Sequence, residues 1–200
     1  RGNAWVLTQW ALDPSQAEAG VFARLCREEL GLEDDDARRF RELCLLSARA
    51  VVRGKRSTHA DIRPWWSRDQ YIREAELPGD PARRSRVLAE KREAEAIWDE
   101  IIALARSIAF PDPDTAEFAA TSSEYGRFLY RIFRINFEMR DVLEHFDAPR
   151  AARLLAEYDD TWAAWTEHAA KHPSSGTIYQ PDAFRYTPGR GASADTKNGI

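Results

Sequence analysis

Residues 64 to 71 read Pro-Trp-Trp-Ser-Arg-Asp-Gln-Tyr, and no other stretch of the 200-residue chain is so well equipped to touch a ligand. Trp65, Trp66 and Tyr71 offer flat apolar faces, and Arg68 carries a fork of hydrogen-bond donors. Such faces stack on the C–H faces of sugar rings, while Arg, Asp and Gln bond the hydroxyls. The same residues also suit a structural task, in which the tryptophans fasten the loop to the body of the protein or to a neighbouring domain. Trp65, Trp66, Arg68 and Tyr71 are therefore the candidate contact, with either sugar or another domain as the object.

The remaining groups with chemical potential read as structural. His168 and His172 stand four residues apart, a spacing that lets two imidazoles share a metal. There is no His-Glu-x-x-His, no third ligand in register, and Pro173 follows at once, so a solvated helix end is expected and no metal site. Glu138, Asp141 and Glu144 fall on one predicted helix, Asp159 and Asp160 on the next. A carboxylate-bridged metal pair in a bundle needs Glu-x-x-His on two helices. His145 follows Glu144 directly, so these acids are expected on solvated faces. Glu33-Asp34-Asp35-Asp36 are consecutive rather than alternating as in a calcium loop, and suit the positive end of a helix dipole. His59 has Ser57, Thr58 and Asp61 nearby, but closeness in sequence does not make a triad. No nucleophile elbow, phosphate loop or glycine-rich dinucleotide turn is present. No catalytic residue and no cofactor are expected within this segment.

Composition narrows the partners. Lys and Arg number 29 against 33 Asp and Glu, for a net charge of -4. The arginines alternate with acids rather than clustering, which excludes the basic field that nucleic acid requires. No apolar run approaches the roughly 20 residues that cross a bilayer. Cys26 and Cys44 lie on two predicted helices joined by a turn near Gly31. In an antiparallel hairpin their axial offset is near 10 Å at about 1.5 Å per residue. A disulfide wants Cα atoms within about 7 Å, so two reduced, buried cysteines acting as small apolar groups are expected.

The elements that position these groups are helical. From Tyr125 to Phe146, apolar residues recur at Tyr125, Phe128, Ile132, Ile135, Met139, Val142 and Phe146, in steps of three and four. Leu129, Phe133 and Phe137 form a second row beside the first. A stripe that wide predicts a helix inside a bundle with neighbours on several sides. Asp80-Pro81 predicts the start of a helix reaching about Phe110, with Val87, Ala94, Trp98, Ile101, Ala105 and Ile108 inward. Lys91-Glu95 and Arg86-Glu90 are expected as exposed pairs on it. Pro111 to Asp114 reads as a turn with Asp114 capping the central helix. Asp147-Ala148-Pro149 breaks the chain before a last helix, 149 to 171, with Leu155, Tyr158, Trp162, Trp165 and Ala169 inward. Upstream, residues 3 to 12 read as a short helix or the end of a longer one, and Asp13-Pro14-Ser15 breaks it. Ser15 and Glu18 resemble a capping box for a helix of about 16 to 30, ended by Gly31. A further helix runs from about 34 to Arg53, with Phe40, Leu43, Cys44, Ser47, Ala50 and Val51 inward and Gly54 as its stop. The fold class is all-α: an antiparallel bundle of three long helices over 81–172, preceded by a short helical hairpin over 1–54. An aromatic irregular loop over 55–80 joins them, and an irregular tail over 173–200 follows.

Asn3-Ala4-Trp5-Val6-Leu7, then Trp10-Ala11-Leu12-Asp13-Pro14-Ser15 and a helix ending near Leu30-Gly31, resembles a segment of α-glucuronidase-like glycoside hydrolases and related bacterial polysaccharide-utilisation proteins. Tyr158-Asp159, Trp162, Trp165, His172-Pro173 and Thr177-Ile178-Tyr179 resemble the close of the same all-helical C-terminal domain. The resemblance implies a (β/α)8 catalytic barrel upstream, whose paired acids hydrolyse a glycosidic bond and lie outside these residues. It implies a non-catalytic domain that packs on that barrel and edges its sugar cleft. Its partners would be the barrel, a homodimer mate and an oligosaccharide or polysaccharide, in a periplasmic or secreted setting. The chain, opening at Arg1 without methionine, is expected to be part of a longer polypeptide. The competing expectation is a free-standing helical module that binds another protein through its exposed aromatics.

Overall fold

The structure, a computed structural model, describes residues 2–55 and 77–173. The described chain folds into six α-helices and contains no strand: α1 Gly2–Leu12, α2 Glu18–Arg24, α3 Asp34–Lys55, α4 Pro81–Ser107, α5 Pro113–Glu144 and α6 Ala148–Lys171. A π-helical turn, Leu25–Glu29, continues α2. The expected all-α bundle is the observed fold, and α3 extends it by packing along α4 as closely as α5 does.

Three of the helix starts are fixed by an aspartate followed within two residues by proline. Asp80 accepts from the Arg83 amide at 2.8 Å and Asp147 from the Arg150 amide at 3.0 Å. Proline costs nothing there because its missing N–H would have had no intrahelical partner. At α5 the cap is Asp112, which accepts from the Thr115 amide at 3.1 Å, and not the expected Asp114. The helix starts at Pro113, two residues earlier than expected, which puts Asp114 inside the first turn. Ser15 caps nothing either: its hydroxyl donates to Asp13 Oδ1 at 2.6 Å, and α2 opens at Ala17 with no side-chain cap. Gly31 ends the hairpin's first arm as expected, at φ +62°, a conformation that glycine adopts without steric cost.

Helix α5 is the centre of the packing. Tyr125, Phe128, Ile132, Ile135, Met139 and Val142 are all buried, and so are Leu129, Phe133 and Phe137 beside them. Ile132 and Phe133 are 1% exposed, and neither lines the cavity beside the hairpin. Phe146 departs from the stripe. It is 81% exposed because α5 ends at Glu144 and the chain has already turned toward Asp147. Polar side chains on α5 are buried as well, namely Arg134, Asn136 and Glu138. The buried face of α6 is Leu154, Tyr158, Thr161, Trp165 and His168, rotated from the expected row, with Leu155 and Trp162 only half-buried at its edge.

Two glycines admit aromatic rings rather than ending helices. Gly54 lies inside α3, not after it, and a Cβ there would fall under 3.0 Å from the Tyr130 ring of α5. A Cβ on Gly126 would meet the Trp98 ring of α4 in the same way. Trp98 and Tyr130 themselves pack with centroids 5.4 Å apart, so the two glycines bring α3, α4 and α5 together around one aromatic pair. In an exposed helix Gly→Ala stabilises by up to about 1 kcal/mol. Gly20 of α2 has nothing within 4 Å of its Cβ position, and Gly20→Ala is expected to stabilise by that order. Gly126→Ala is expected to destabilise by about 1–3 kcal/mol, the usual range for overpacking. Urea denaturation of the two variants should show midpoints moving in opposite directions.

Candidate functional site

The aromatic candidates Trp65, Trp66, Arg68 and Tyr71 lie outside the described residues, as does His59. The other groups with chemical potential can be located, and the structure draws nearly all of them into ion pairs.

The largest group surrounds Arg134, on the buried seam where α4, α5 and α6 meet. Its guanidinium donates from Nε to Glu95 at 2.5 Å, from Nη1 to Glu138 at 3.3 Å, and from Nη2 to Glu157. Glu95 also accepts from Arg131 at 2.5 Å and Glu138 from Arg92 at 2.7 Å. Three arginines thus face three glutamates. Burial works against the charge on Arg134, but Glu95, Glu157 and Glu138 more than offset it, so its pKa is raised. The charges balance and both Glu95 and Glu138 are doubly bonded. Neither carboxylate is placed to act as an acid or base without first giving up a guanidinium. Glu138 is thereby removed from the solvated face expected of it.

A second node lies at the other end of the same seam. Arg84 of α4 meets Asp141 at 3.4 Å, pairs with Glu144, and lies 3.0 Å from His145 Nδ1, while Arg150 of α6 donates to Asp141 at 2.7 Å. Asp141 is therefore tied to both neighbouring helices. Asp159 and Asp160 are exposed on α6, as expected.

Of the two expected surface pairs on α4, one member of each, Lys91 and Glu90, is internal. Lys91 is fully buried, donates to the Arg53 carbonyl at 3.0 Å, and holds its ammonium 4.5 Å from the centre of the Phe137 ring. Glu90 is 5% exposed and accepts from Arg53 at 2.7 Å, while Arg86, at 3.9 Å, stays outside. Lys91 reaches the interior because it stands in line with Val87, Ala94 and Trp98, on the row that faces α3 and α5.

His168 is buried, in place of the solvated helix end expected for it. Its Nε2 lies 2.9 Å from the Thr121 carbonyl, which requires Nε2 to carry the proton. Its Nδ1 lies 3.4 Å from Glu124, and its ring packs on Phe128 with centroids 5.5 Å apart. His172 is 5.0 Å away, centroid to centroid, but its Nδ1 is directed to Glu117 at 3.2 Å. The two imidazoles thus address different partners. Among the described residues no three His, Cys, Asp or Glu side chains are grouped to hold a metal ion.

Both cysteines are free thiols. Cys26 is fully buried, and burial, aided by the neighbouring Cys44, pushes its pKa up to about 11. Burial raises Cys44 too. Thiols so poor in thiolate at neutral pH are weak nucleophiles.

His168 gives the seam a pH dependence. Burial lowers its pKa below the ordinary 6.5, and His172 and Arg127 add to this. The Thr121 carbonyl and Glu124 act the other way without reversing it. The unfolded chain therefore takes up this proton more readily than the folded one. Stability from this residue is complete above about pH 6.5 and falls as pH drops below it. Urea midpoints between pH 8 and pH 5 should decline in the native chain and decline less in His168→Gln. Equal slopes in the two proteins would contradict the assignment.

In comparisons with known protein families, with curated proteins and with solved structures, the chain finds no match.

Proposed function

We propose that the chain is a non-catalytic helical module of a carbohydrate-active glycoside hydrolase, seated on a catalytic barrel that α1 helps to hold. The observation that carries this reading is α1 itself. It is apolar around its circumference, with Trp5, Val6, Leu7, Trp10, Ala11 and Leu12 in a single eleven-residue helix. Among the described residues, α2 and the π turn pack against it. Trp10 is spoken for, since its indole N–H donates to the Gln16 carbonyl at 3.2 Å, and Arg24 lies 5.8 Å from the centre of the Trp5 ring. Leu7 and Leu12 are not: they are 65% and 77% exposed. Covering a leucine releases about 1.5–3 kcal/mol, so two on one short helix form a worthwhile contact for a second domain.

The resemblance noted for residues 3 to 15 puts a barrel next to this helix. The engagement of Glu95, Glu138 and Asp141 in ion pairs agrees with hydrolysis by acids placed elsewhere. Trp65, Trp66, Arg68 and Tyr71 would then edge the sugar cleft.

The test is the native gene product. A barrel-sized region preceding Arg1 is expected, together with glycosidase activity that the isolated 200-residue chain lacks. Leu7→Glu with Leu12→Glu should loosen the two parts, seen as faster proteolysis between them and a lower melting temperature of the hydrolase. A gene product that opens at this chain and recovers a protein partner through α1 would replace the proposal with the interaction-module reading.

A further inference from the structure

We infer that the seam between the hairpin and the bundle is a binding site for a small, neutral, largely apolar molecule carrying one hydrogen-bond acceptor. This inference is independent of the function proposed above. The hairpin has its own core, where Cys26, Leu32, Ile108 and Phe110 are buried together. The bundle core lies around Ile132 and Phe133. Where the two meet, side chains leave a cavity of about 380 Å³. Leu25, Phe40, Leu43, Trp98 and Phe110 form most of its wall, and Phe118, half-exposed, stands at its mouth.

The chemistry of the lining selects the ligand. Charged residues make up 31% of the chain, yet among the described residues none lines this cavity. An ionised carboxylate or ammonium entering it would lose its hydration and meet no counter-charge. Among the described residues the polar side chains on the wall are hydroxyls and the Trp98 indole. Ser47 donates to the Leu43 carbonyl at 2.8 Å, Ser123 to the Ala119 carbonyl at 2.7 Å, and Thr115 to Asp112. The Ser122 hydroxyl and the Trp98 indole N–H are buried without a hydrogen-bond partner among the described residues. A hydroxyl rotates about a single bond, so Ser122 has a donor to give to an entering carbonyl, ether or alcohol oxygen. An apolar cavity of roughly 150 Å³ holds benzene, so this one has room for on the order of a dozen heavy atoms.

Isothermal titration calorimetry of the full chain with 2-acetylnaphthalene tests the inference, with 2-naphthoate as the charged molecule of matching shape. Saturable binding of the ketone is expected, with 2-naphthoate at least ten-fold weaker. Ser122→Ala should weaken the ketone about three- to ten-fold, the worth of one hydrogen bond. Ala119→Phe, which fills the cavity from α5, should abolish binding while the circular dichroism spectrum is kept. The inference is overturned by any of three results: no saturable heat with the ketone, equal affinity for 2-naphthoate, or undiminished binding to a folded Ala119→Phe chain.

Discussion

Burial of α5 on almost every side is the constraint from which the other features follow. Where α3, α4 and α6 enclose α5, a charged side chain cannot turn to water and takes its partner from within the protein. Arg134 finds three carboxylates, Glu138 finds two guanidinium groups, and the Thr121 carbonyl takes the proton of His168. The apolar residues are satisfied by the same arrangement. Tyr125 packs edge-on against Trp165, and Tyr130 against Phe133, with centroids 5.3 Å apart in each case.

The charged seam and the greasy core have different consequences. Apolar burial supplies most of the free energy, about 1.5–3 kcal/mol for each of the large side chains on α5. It resists sliding where Trp98 fills the space over Gly126 and Tyr130 the space over Gly54. The ion pairs add a second constraint. Arg106 pairs with Glu124, Arg131 and Arg134 with Glu95, Arg92 with Glu138, and Arg84 with Glu144, so residue numbers fall along α4 as they rise along α5. A shift of one helical turn would part every pair at once and strand Arg134, Glu95 and Glu138, each under about 15% exposed, which is costly even where the pairs themselves add little net stability. The seam therefore fixes the register of the antiparallel pair.

How much of this could be read from the residues alone follows the same division. Asp80-Pro81 and Asp147-Ala148-Pro149 announce helix starts through local chemistry, and the structure keeps both. The stripe from Tyr125 to Val142 announces a buried helix through period alone. Burial of Lys91, Glu90, Glu138 and His168 was not readable in that way, because alternating charges on a helix look alike whether they face water or a neighbour bearing the opposite sign. One signal was present: Lys91 stands on the same row as Val87, Ala94 and Trp98. Gly54 and Gly126 resemble ordinary weak points until Tyr130 and Trp98 are seen to occupy the missing side-chain space. The unfilled seam between hairpin and bundle is a mismatch of two surfaces and has no local sequence pattern. The aromatic stretch from Trp65 to Tyr71, the most suggestive in the sequence, falls outside the described residues.

Native-state hydrogen exchange resolved along α5 tests the central claim most directly. If the helix is dry and enclosed, amides from Leu129 to Met139 should exchange only through global unfolding, with one shared free energy that rises and falls with denaturant as the whole protein does. Fast, denaturant-independent exchange around Ile132 and Phe133 would mean that water reaches the middle of the bundle, and the account of an enclosed helix dictating its partners would be wrong.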